Sequence, residues 1–245
     1  MKTKVIGLGG IGSHLLSPLC RYLEASTSNE DKGSKKGKDP LHSLVLIDGD
    51  DYEAKNASRQ EFHDIGNKAE VSAARVKRDY PSLLVEAKPH FVTIENVFLF
   101  IEEGDIVFLC VDNHATRKLV SDRCQGLKDV ILISGGNEFQ DGDVNLYLRR
   151  KGKNVTPPLT HLHPEIQNPA DRNPDEMSCE ELAEVGVPQL IFANLTAATM
   201  MLNAFWMVGE YFAERCDLKY SVAHFDVLLG IVQTELHVPQ KKKGK

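Results

Sequence analysis

Short apolar runs alternate with amphipathic stretches along most of the chain. The apolar runs predict strands over residues 4–8, 44–47, 85–93, 105–111, 130–134 and 144–149. The stretches between them predict helices over 13–25, 68–80 and 114–124. Alternation of strand and helix is typical of a mostly parallel sheet with helices on both faces. We therefore expect a fold of the α/β class.

The C-terminal part of the chain follows a different pattern. Residues 150–187 are rich in Pro, Asn, His and Asp without a clear period, which predicts a long functional loop of the crossover type. The apolar run at 190–209 predicts a long helix, whose first turn accommodates Pro188. Residues 220–238 predict a hairpin, so we expect the sheet to end in an antiparallel extension.

Two polar segments are expected to lie outside the packed fold. Residues 26–42 are rich in Ser, Gly, Lys and Asp, which predicts a flexible insertion. The basic residues 239–245 predict a disordered tail. We expect the chain, residues 1–245, to form a single domain around these segments.

The apolar run at 190–209 carries no charged residue and is long enough to span a bilayer. Asn194, Thr196, Thr199 and Asn203 interrupt it with polar side chains. We therefore expect a buried or dimer-interface helix and no membrane association.

Composition narrows the function classes. A chain of 245 residues, 42% of them hydrophobic, can build one large α/β domain or a domain with an additional lobe. Its net charge of −6 argues against a nucleic-acid partner. The start of the chain runs straight into a strand without a signal peptide, so we expect a cytoplasmic protein. The cysteines are scattered and indicate no disulfide framework; they are Cys20, Cys110, Cys124, Cys179 and Cys216.

A glycine loop follows the first strand and precedes the first helix. Its glycines, Gly7, Gly9, Gly10 and Gly12, allow a tight turn and a close approach of backbone N–H groups to phosphate. This arrangement favours a Rossmann-like nucleotide fold. The loop alone is weak evidence, because a tight strand–helix turn can also bind nothing.

An aspartate ends the second strand. Asp48 is placed to accept hydrogen bonds from ribose hydroxyls, although an exposed turn aspartate is the alternative. In Rossmann-type folds the ribose acid falls about 20 residues after the glycine loop. Asp48 lies further along the chain, and the insertion at 26–42 accounts for the excess.

Polar residues after the second and fourth predicted strands favour phosphate and metal binding. Asn56, Arg59 and Gln60 form a loop in which the forked guanidinium can hold phosphate oxygens, and Lys68 adds a positive charge at a helix start. Asp112 ends a buried strand and is our Mg²⁺ candidate. A cap for the helix that begins near His114 is its alternative role.

Together these motifs resemble the ThiF/MoeB/HesA family, which is related to the adenylation domains of ubiquitin-activating enzymes. The resemblance covers residues 4–150 strongly and 180–235 more loosely. It implies that Asp48 binds ribose and that Asp112 helps to hold Mg²⁺. It also implies that the triphosphate is bound by Asn56, Arg59 and Lys68, with Asp50 and Gln60 as supporting members of the nucleotide site.

The resemblance implies an enzyme that uses ATP and Mg²⁺ on a small ubiquitin-like or sulfur-carrier protein ending in glycine. The C-terminal carboxylate attacks the α-phosphate, releases pyrophosphate and leaves an acyl-adenylate. A homodimer is also implied. The two Cys-x-x-Cys pairs that bind zinc in many relatives are absent from the sequence, so no zinc is expected. Because the sequence begins at the first strand, we do not expect the arm through which some relatives lend an arginine across the dimer.

Cys179 lies at the end of the long loop, where relatives carry a nucleophilic cysteine in a comparable position. It is our candidate for thioester formation, and an ordinary loop cysteine is the alternative. Neighbouring Glu180 and Glu181 disfavour its thiolate. In the same loop, His161, His163 and Glu165 favour a segment that shapes the substrate site over a zinc site.

Two other function classes stay open at this point. An NAD-dependent oxidoreductase could use the same fold, but it leaves Arg59, Lys68 and Asp112 without a role. A non-catalytic scaffold that binds nucleotide or a partner is the second alternative, since fold alone does not set function.

Overall fold

A mixed sheet forms the centre of the structure, a computed structural model that describes residues 2–30, 43–62, 64–176 and 190–238. The strands are β1 Thr3–Ile6, β2 Ser43–Ile47, β3 Asp51–Tyr52, β4 Gly66–Asn67, β5 Leu84–Lys88, β6 Ile106–Leu109, β7 Val130–Asn137, β8 Asp141–Arg150, β9 Lys153–Asn154, β10 Val222–Asp226 and β11 Ile231–Glu235. The α-helices are α1 Gly10–Glu30, α2 Lys68–Asp79, α3 Val97–Phe100, α4 His114–Gln125, α5 Leu159–Leu162, α6 Pro164–Gln167 and α7 Ile191–Phe212. Short 3₁₀ helices cover Ala54–Ser58 and Pro174–Glu176.

The strand order in the main sheet is β11-β10-β8-β7-β6-β1-β2-β5, and β9 pairs with β8. The strands from β5 to β7 in this order are parallel, whereas β8, β10 and β11 join in antiparallel fashion. The expected fold class is confirmed, including the antiparallel extension at the C-terminal side.

Alternation along the strands places apolar side chains on both faces of the sheet. In β1, Val5 packs into one apolar cluster with residues of α1, α2 and α7, and Ile6 packs into another with residues of α3 and α4. This is the period-two pattern of a sheet buried on both sides. The carboxyl ends of β1, β2 and β6 consequently lie side by side, and the loops that follow them build the candidate site.

Several predicted boundaries were wrong for local reasons. Helix α1 continues to Glu30 rather than ending at Ala25, and the Ser26 hydroxyl donates back to the Tyr22 carbonyl at 2.8 Å. Strand β5 ends at Lys88 rather than at residue 93, because Pro89 has no N–H for the ladder. The first part of the predicted insertion is therefore helical, and its remainder, 31–42, lies outside the described residues.

The segment predicted as a loop over 150–187 contains regular structure. It forms β9, α5, α6 and the 3₁₀ turn Pro174–Glu176, which its irregular composition did not predict. Residues 177–189, with Pro188, and the basic tail 239–245 lie outside the described residues.

Helix α7 has the length and composition of a membrane span, but it packs against α1 and the sheet. In its most apolar window 44% of the residues are buried. Ala197, Met201 and Ala204 belong to its buried side. The expected core role is confirmed for this side, while Phe192 and Trp206 stay exposed on the other.

Candidate nucleotide site

The glycine loop joins β1 to α1 with very little space. Gly7 has φ of +87°, and a Cβ atom there would lie 2.9 Å from the carbonyl carbon and oxygen of Cys110. A Cβ atom on Gly12 would lie 2.0 Å from the Gly7 carbonyl oxygen. The loop thus lies against the end of β6, two residues before Asp112. Since α1 begins at Gly10, the N–H groups of its first turn have no acceptors within the helix and are available to an anion.

Asp48 connects the glycine loop to the turn after β2. Its Oδ2 accepts a hydrogen bond from the Leu8 N–H at 2.6 Å, and its Oδ1 accepts one from the Asp50 N–H at 2.9 Å. Burial raises the pKa of Asp48, against the opposing effects of Lys68 and the two N–H groups. Each carboxylate oxygen can accept a further hydrogen bond, as ribose binding requires. The alternative of an exposed turn aspartate is wrong, because the residue is half-buried.

The loop with Asn56, Arg59 and Gln60 contacts both α7 and the glycine loop. The buried Asn56 accepts a hydrogen bond from the Glu53 N–H at 2.9 Å, so its amide oxygen holds the loop and its NH₂ group is the part suited to phosphate. The Arg59 carbonyl accepts from the Asn194 side chain at 3.4 Å. The buried Gln60 Oε1 has no hydrogen-bond partner among the described residues.

Lys68 begins α2 and is buried, and its ammonium forms an ion pair with the exposed carboxylate of Asp50. The ammonium also lies 5.9 Å from the centre of the Tyr52 ring. Asp50 is thus the partner that holds the predicted phosphate ligand in place. An ammonium has three donors, so Lys68 can keep this partner and still meet a phosphate oxygen.

Asp112 follows β6 and is exposed to solvent. Asn113, not Asp112, caps α4, because its Oδ1 accepts from the Thr116 N–H at 2.7 Å. The capping alternative for Asp112 is therefore wrong. Within the described ranges no group of three or more His, Cys, Asp or Glu side chains is arranged to hold a metal. One carboxylate suits Mg²⁺ when phosphate oxygens supply further ligands.

Arg117 is a member of the site that the sequence did not indicate. Its buried guanidinium donates to Ser134 Oγ at 2.8 Å and to the carbonyls of Val111 at 2.6 Å and Gly135 at 2.8 Å. Burial lowers its pKa, and the charges of Asp143 and Asp112 oppose that effect. Arg117 fixes the ends of β6 and β7 beside Asp112. The sequence did carry one signal for a buried Arg117: it precedes Val120 by three residues and so lies on the same, buried side of α4.

His163 attaches the segment after β9 to strand β8. Its Nε2 lies 2.9 Å from Asp143 Oδ2, and its Nδ1 lies 2.8 Å from Glu165 Oε1. The hydrogen bond to Asp143 raises the pKa of His163. Burial alone would raise the pKa of Asp143, but His163 holds it below its ordinary value. His163 therefore anchors this segment to the sheet, while His161 is exposed.

The sequence pattern of the ThiF family matches residues 1–226. The chain belongs to the ThiF family. The match covers the glycine loop and every described residue of the candidate site.

Curated relatives of this ThiF-family chain are considerably longer than it is. The adenylyltransferase and sulfurtransferase MOCS3 of Xenopus laevis is 32% identical over 152 residues, which are 60% of this chain and 30% of the relative. The adenylyltransferase and sulfurtransferase UBA4 of Debaryomyces hansenii is 26% identical over 219 residues, 87% of this chain and 42% of the relative. The chain thus spans less than half the length of these two relatives.

Solved structures share the fold at low identity. E. coli MccB with MccA-N7isoASN has a TM-score of 0.69 and 16% identity, with 98% of this chain and 64% of that chain covered. PaaA has a TM-score of 0.66 and 15% identity, and the match covers 98% of this chain and 64% of the PaaA chain. Identities this low support the fold alone.

Three described cysteines of the ThiF-family chain are buried in its core. Burial raises the pKa values of Cys20, Cys110 and Cys124 to about 12, which keeps them protonated. The sequence predicts all four of the described cysteines as core residues, Cys216 among them on a helix. This is confirmed for the three buried ones, but it is wrong for Cys216, which follows the end of α7 and is half-buried. Cys179 lies outside the described residues, so its thioester role stays a prediction.

Proposed function

We propose that this ThiF-family chain adenylates the C-terminal glycine carboxylate of a small ubiquitin-like or sulfur-carrier protein with ATP. The supporting observation is that three segments with predicted nucleotide ligands contact one glycine loop. Asp48 accepts from the Leu8 N–H, Gln60, the neighbour of Arg59, lies beside Gly9, and Cys110, two residues before Asp112, lies against Gly7. Lys68 joins this group through its ion pair with Asp50, whose N–H donates to Asp48. These segments follow the carboxyl ends of parallel strands, where α/β sheets bind ligands. The names of the curated relatives, which contain the word adenylyltransferase, support the same chemistry.

ATP is a substrate in this proposal, and different residues of the chain bind its ribose and its phosphates. Asp48 takes the ribose hydroxyls. The N–H groups at the start of α1 take phosphate oxygens, and Arg59 and Lys68 neutralise the triphosphate. Asp112 would hold Mg²⁺, which when bound supplies further neutralisation of phosphate charge.

The reaction requires positioning more than proton transfer. An oxygen of the ionised carrier carboxylate forms a bond to the α-phosphorus, and the bond from that phosphorus to the pyrophosphate oxygen breaks. The products are an acyl-adenylate and pyrophosphate. Because the attacking carboxylate is already ionised, no general base is needed, and the side chains act by alignment and charge stabilisation.

Three further features belong to the proposal. The acyl group passes from the adenylate to the Cys179 thiolate, which forms a thioester and releases AMP. The working form is a homodimer, which the exposed apolar side of α7 supports. The protein acts in the cytoplasm.

The test is ATP–pyrophosphate exchange that depends on a small protein ending in glycine. Arg59→Ala should lower exchange by about 100-fold, the scale of losing one charge-stabilising donor. The matched control is Arg78→Ala, since Arg78 is an exposed arginine of α2 paired with its neighbour Asp79. Cys179→Ala should retain exchange and lose only a thioester.

Two results would contradict the proposal. One is carrier-dependent exchange that Arg59→Ala and Arg78→Ala affect equally. The other is binding of NAD with hydride transfer and no exchange, which would favour the oxidoreductase alternative. Binding of ATP without any turnover would favour the scaffold.

A further inference from the structure

Tyr52 occupies the space between the glycine loop and α2. The residue is 1% exposed and lies in the short strand β3. Its hydroxyl donates to the Leu8 carbonyl at 2.9 Å and lies 3.4 Å from Ser72 Oγ of α2. Its ring stacks on Phe62, with centres 4.8 Å apart and planes at 9°. A tyrosine buried only for packing would not need to contact two nucleotide-binding elements at once.

Tyr52 closes a ring of contacts around the site. Leu8 binds Asp48 through its N–H at 2.6 Å, and Asp48 binds the Asp50 N–H at 2.9 Å. The Asp50 carboxylate pairs with Lys68, whose ammonium lies 5.9 Å from the Tyr52 ring. The Tyr52 hydroxyl completes the series, because it donates a hydrogen bond to the carbonyl of Leu8, the residue at which the series began. The predicted ribose acid and the predicted phosphate lysine are therefore connected through this one side chain.

The hydrogen bond to Leu8 also sets the direction of the next N–H group. No cis peptide bond occurs among the described residues. In a trans peptide the Leu8 carbonyl and the Gly9 N–H point in opposite directions. Because the carbonyl is held inward by the buried Tyr52, the Gly9 N–H points away from Tyr52. The nearest atom to a Cβ placed on Gly9 would be Gln60 Nε2 at 3.9 Å, so there is room beside this residue.

We propose that Tyr52 is a positioning residue for ATP: its hydroxyl orients the Leu8–Gly9 peptide toward the phosphates, and its ring supports Lys68. This inference rests on the proposed function of the nucleotide site, and it assigns a role to Tyr52, which is not among the residues that the sequence motifs predicted. Without the hydroxyl, the Leu8 carbonyl loses its partner, and glycine at position 9 offers little resistance to rotation of the peptide. Burial raises the pKa of Tyr52 to about 12, so the hydroxyl remains a donor at ordinary pH.

The test compares Tyr52→Phe with Tyr147→Phe. Tyr147 is also 1% exposed and also donates its hydroxyl, to Asn154 Oδ1 at 2.8 Å, but it lies on β8. Both variants lose one buried hydroxyl and keep the ring. Calorimetric titration should show that Tyr52→Phe binds ATP about tenfold more weakly while its affinity for adenosine is unchanged. Tyr147→Phe should bind both ligands as the wild type does.

Phe62→Leu provides a second variant if Tyr52→Phe does not fold. It removes the stacking partner and leaves the Tyr52 hydroxyl in place, so ATP affinity should fall below that of the wild type, by less than about tenfold. Wild-type ATP affinity in Tyr52→Phe, or in Phe62→Leu when the first variant is unfolded, would overturn the inference. An equal loss in Tyr52→Phe and Tyr147→Phe would overturn it as well.

Failure of the proposed function gives a different result. A wild type that binds ATP but shows no carrier-dependent exchange contradicts adenylation, and the binding comparison still tests Tyr52. A wild type with full exchange and an unaffected Tyr52→Phe variant contradicts only the role of Tyr52.

Discussion

Gly10 and Asn194 meet at the crowded contact between the start of α1 and α7. A Cβ atom on Gly10 would lie 2.5 Å from Asn194 Nδ2. Asn194 is fully buried, and its Oδ1 has no hydrogen-bond partner in the part of the chain that the structure describes. Glycine at position 10 thus makes room for a side chain that binds the Arg59 carbonyl. In this family member, the glycine loop serves helix packing in addition to its proposed role in nucleotide binding.

We expect Gly10→Ala to lower the free energy of unfolding by about 1–3 kcal/mol, because overpacking outweighs the better helix propensity of alanine. Asn194→Ala should cost less than about 1 kcal/mol, since it removes a long hydrogen bond and an unpartnered acceptor together. The double variant should recover at least about 1 kcal/mol of the Gly10→Ala loss. Urea unfolding of the four proteins measures this coupling, and additive losses would contradict the steric explanation.

The presence of each helix and strand was easier to predict from the sequence than the residues at which it begins and ends. The strong apolar run of α7 and the buried strands β1 and β6 gave unambiguous patterns. Pro89 ended β5 early because it has no N–H for the ladder, and α1 continues past Ala25 through polar residues. Neither limit follows from the hydrophobic period. The turn after β2 could be predicted as a site because Asp48, Arg59 and Lys68 are close in sequence.

Helix α7 leads to a prediction about assembly. Phe192 is 62% exposed and Trp206 is 55% exposed on the side of α7 that faces away from the sheet. Burying such side chains against a second copy would stabilise the proposed homodimer. We expect Trp206→Glu to yield a folded monomer in light scattering after size-exclusion chromatography. Leu228→Glu, at a residue 73% exposed near the β10–β11 turn, should remain dimeric. A dimer that survives Trp206→Glu would exclude this side of α7.

For the molecule as a whole, contacts between distant residues complete the site. Arg117 reaches Ser134, Tyr52 reaches Leu8, and His163 reaches Asp143. Each pair joins elements that are adjacent only in the folded sheet, so a single sequence without its topology does not indicate them. The motifs therefore predicted the residues proposed to contact nucleotide, and the structure was needed to find the residues that hold them.

The His163–Asp143 contact makes stability depend on pH. The pKa of His163 is raised above its ordinary value of 6.5, so its contribution is full below that pH and is lost as pH rises through the raised value. The pKa of Asp143 is lowered from 3.8, so its contribution is present above that pH and is lost as pH falls through the lowered value. The pair therefore stabilises the fold most between about pH 4 and 6.5. Glu165 also raises the pKa of His163, and Arg117 also lowers the pKa of Asp143. Both residues are unchanged when His163 is substituted.

We expect His163→Gln to reduce the free energy of unfolding by roughly 1–2 kcal/mol at pH 5.5, the usual scale for a hydrogen bond to a charged group. The difference from the wild type should shrink as the pH is raised from 6.5 to 9, because neutral imidazole loses the ionic part of the contact. His224→Gln, at an exposed histidine of β10, is the control and should show no such trend. Urea unfolding across this pH range measures both differences. If the effect of His163→Gln were constant or increased with pH, histidinium would not be the species that anchors the segment after β9 to the sheet.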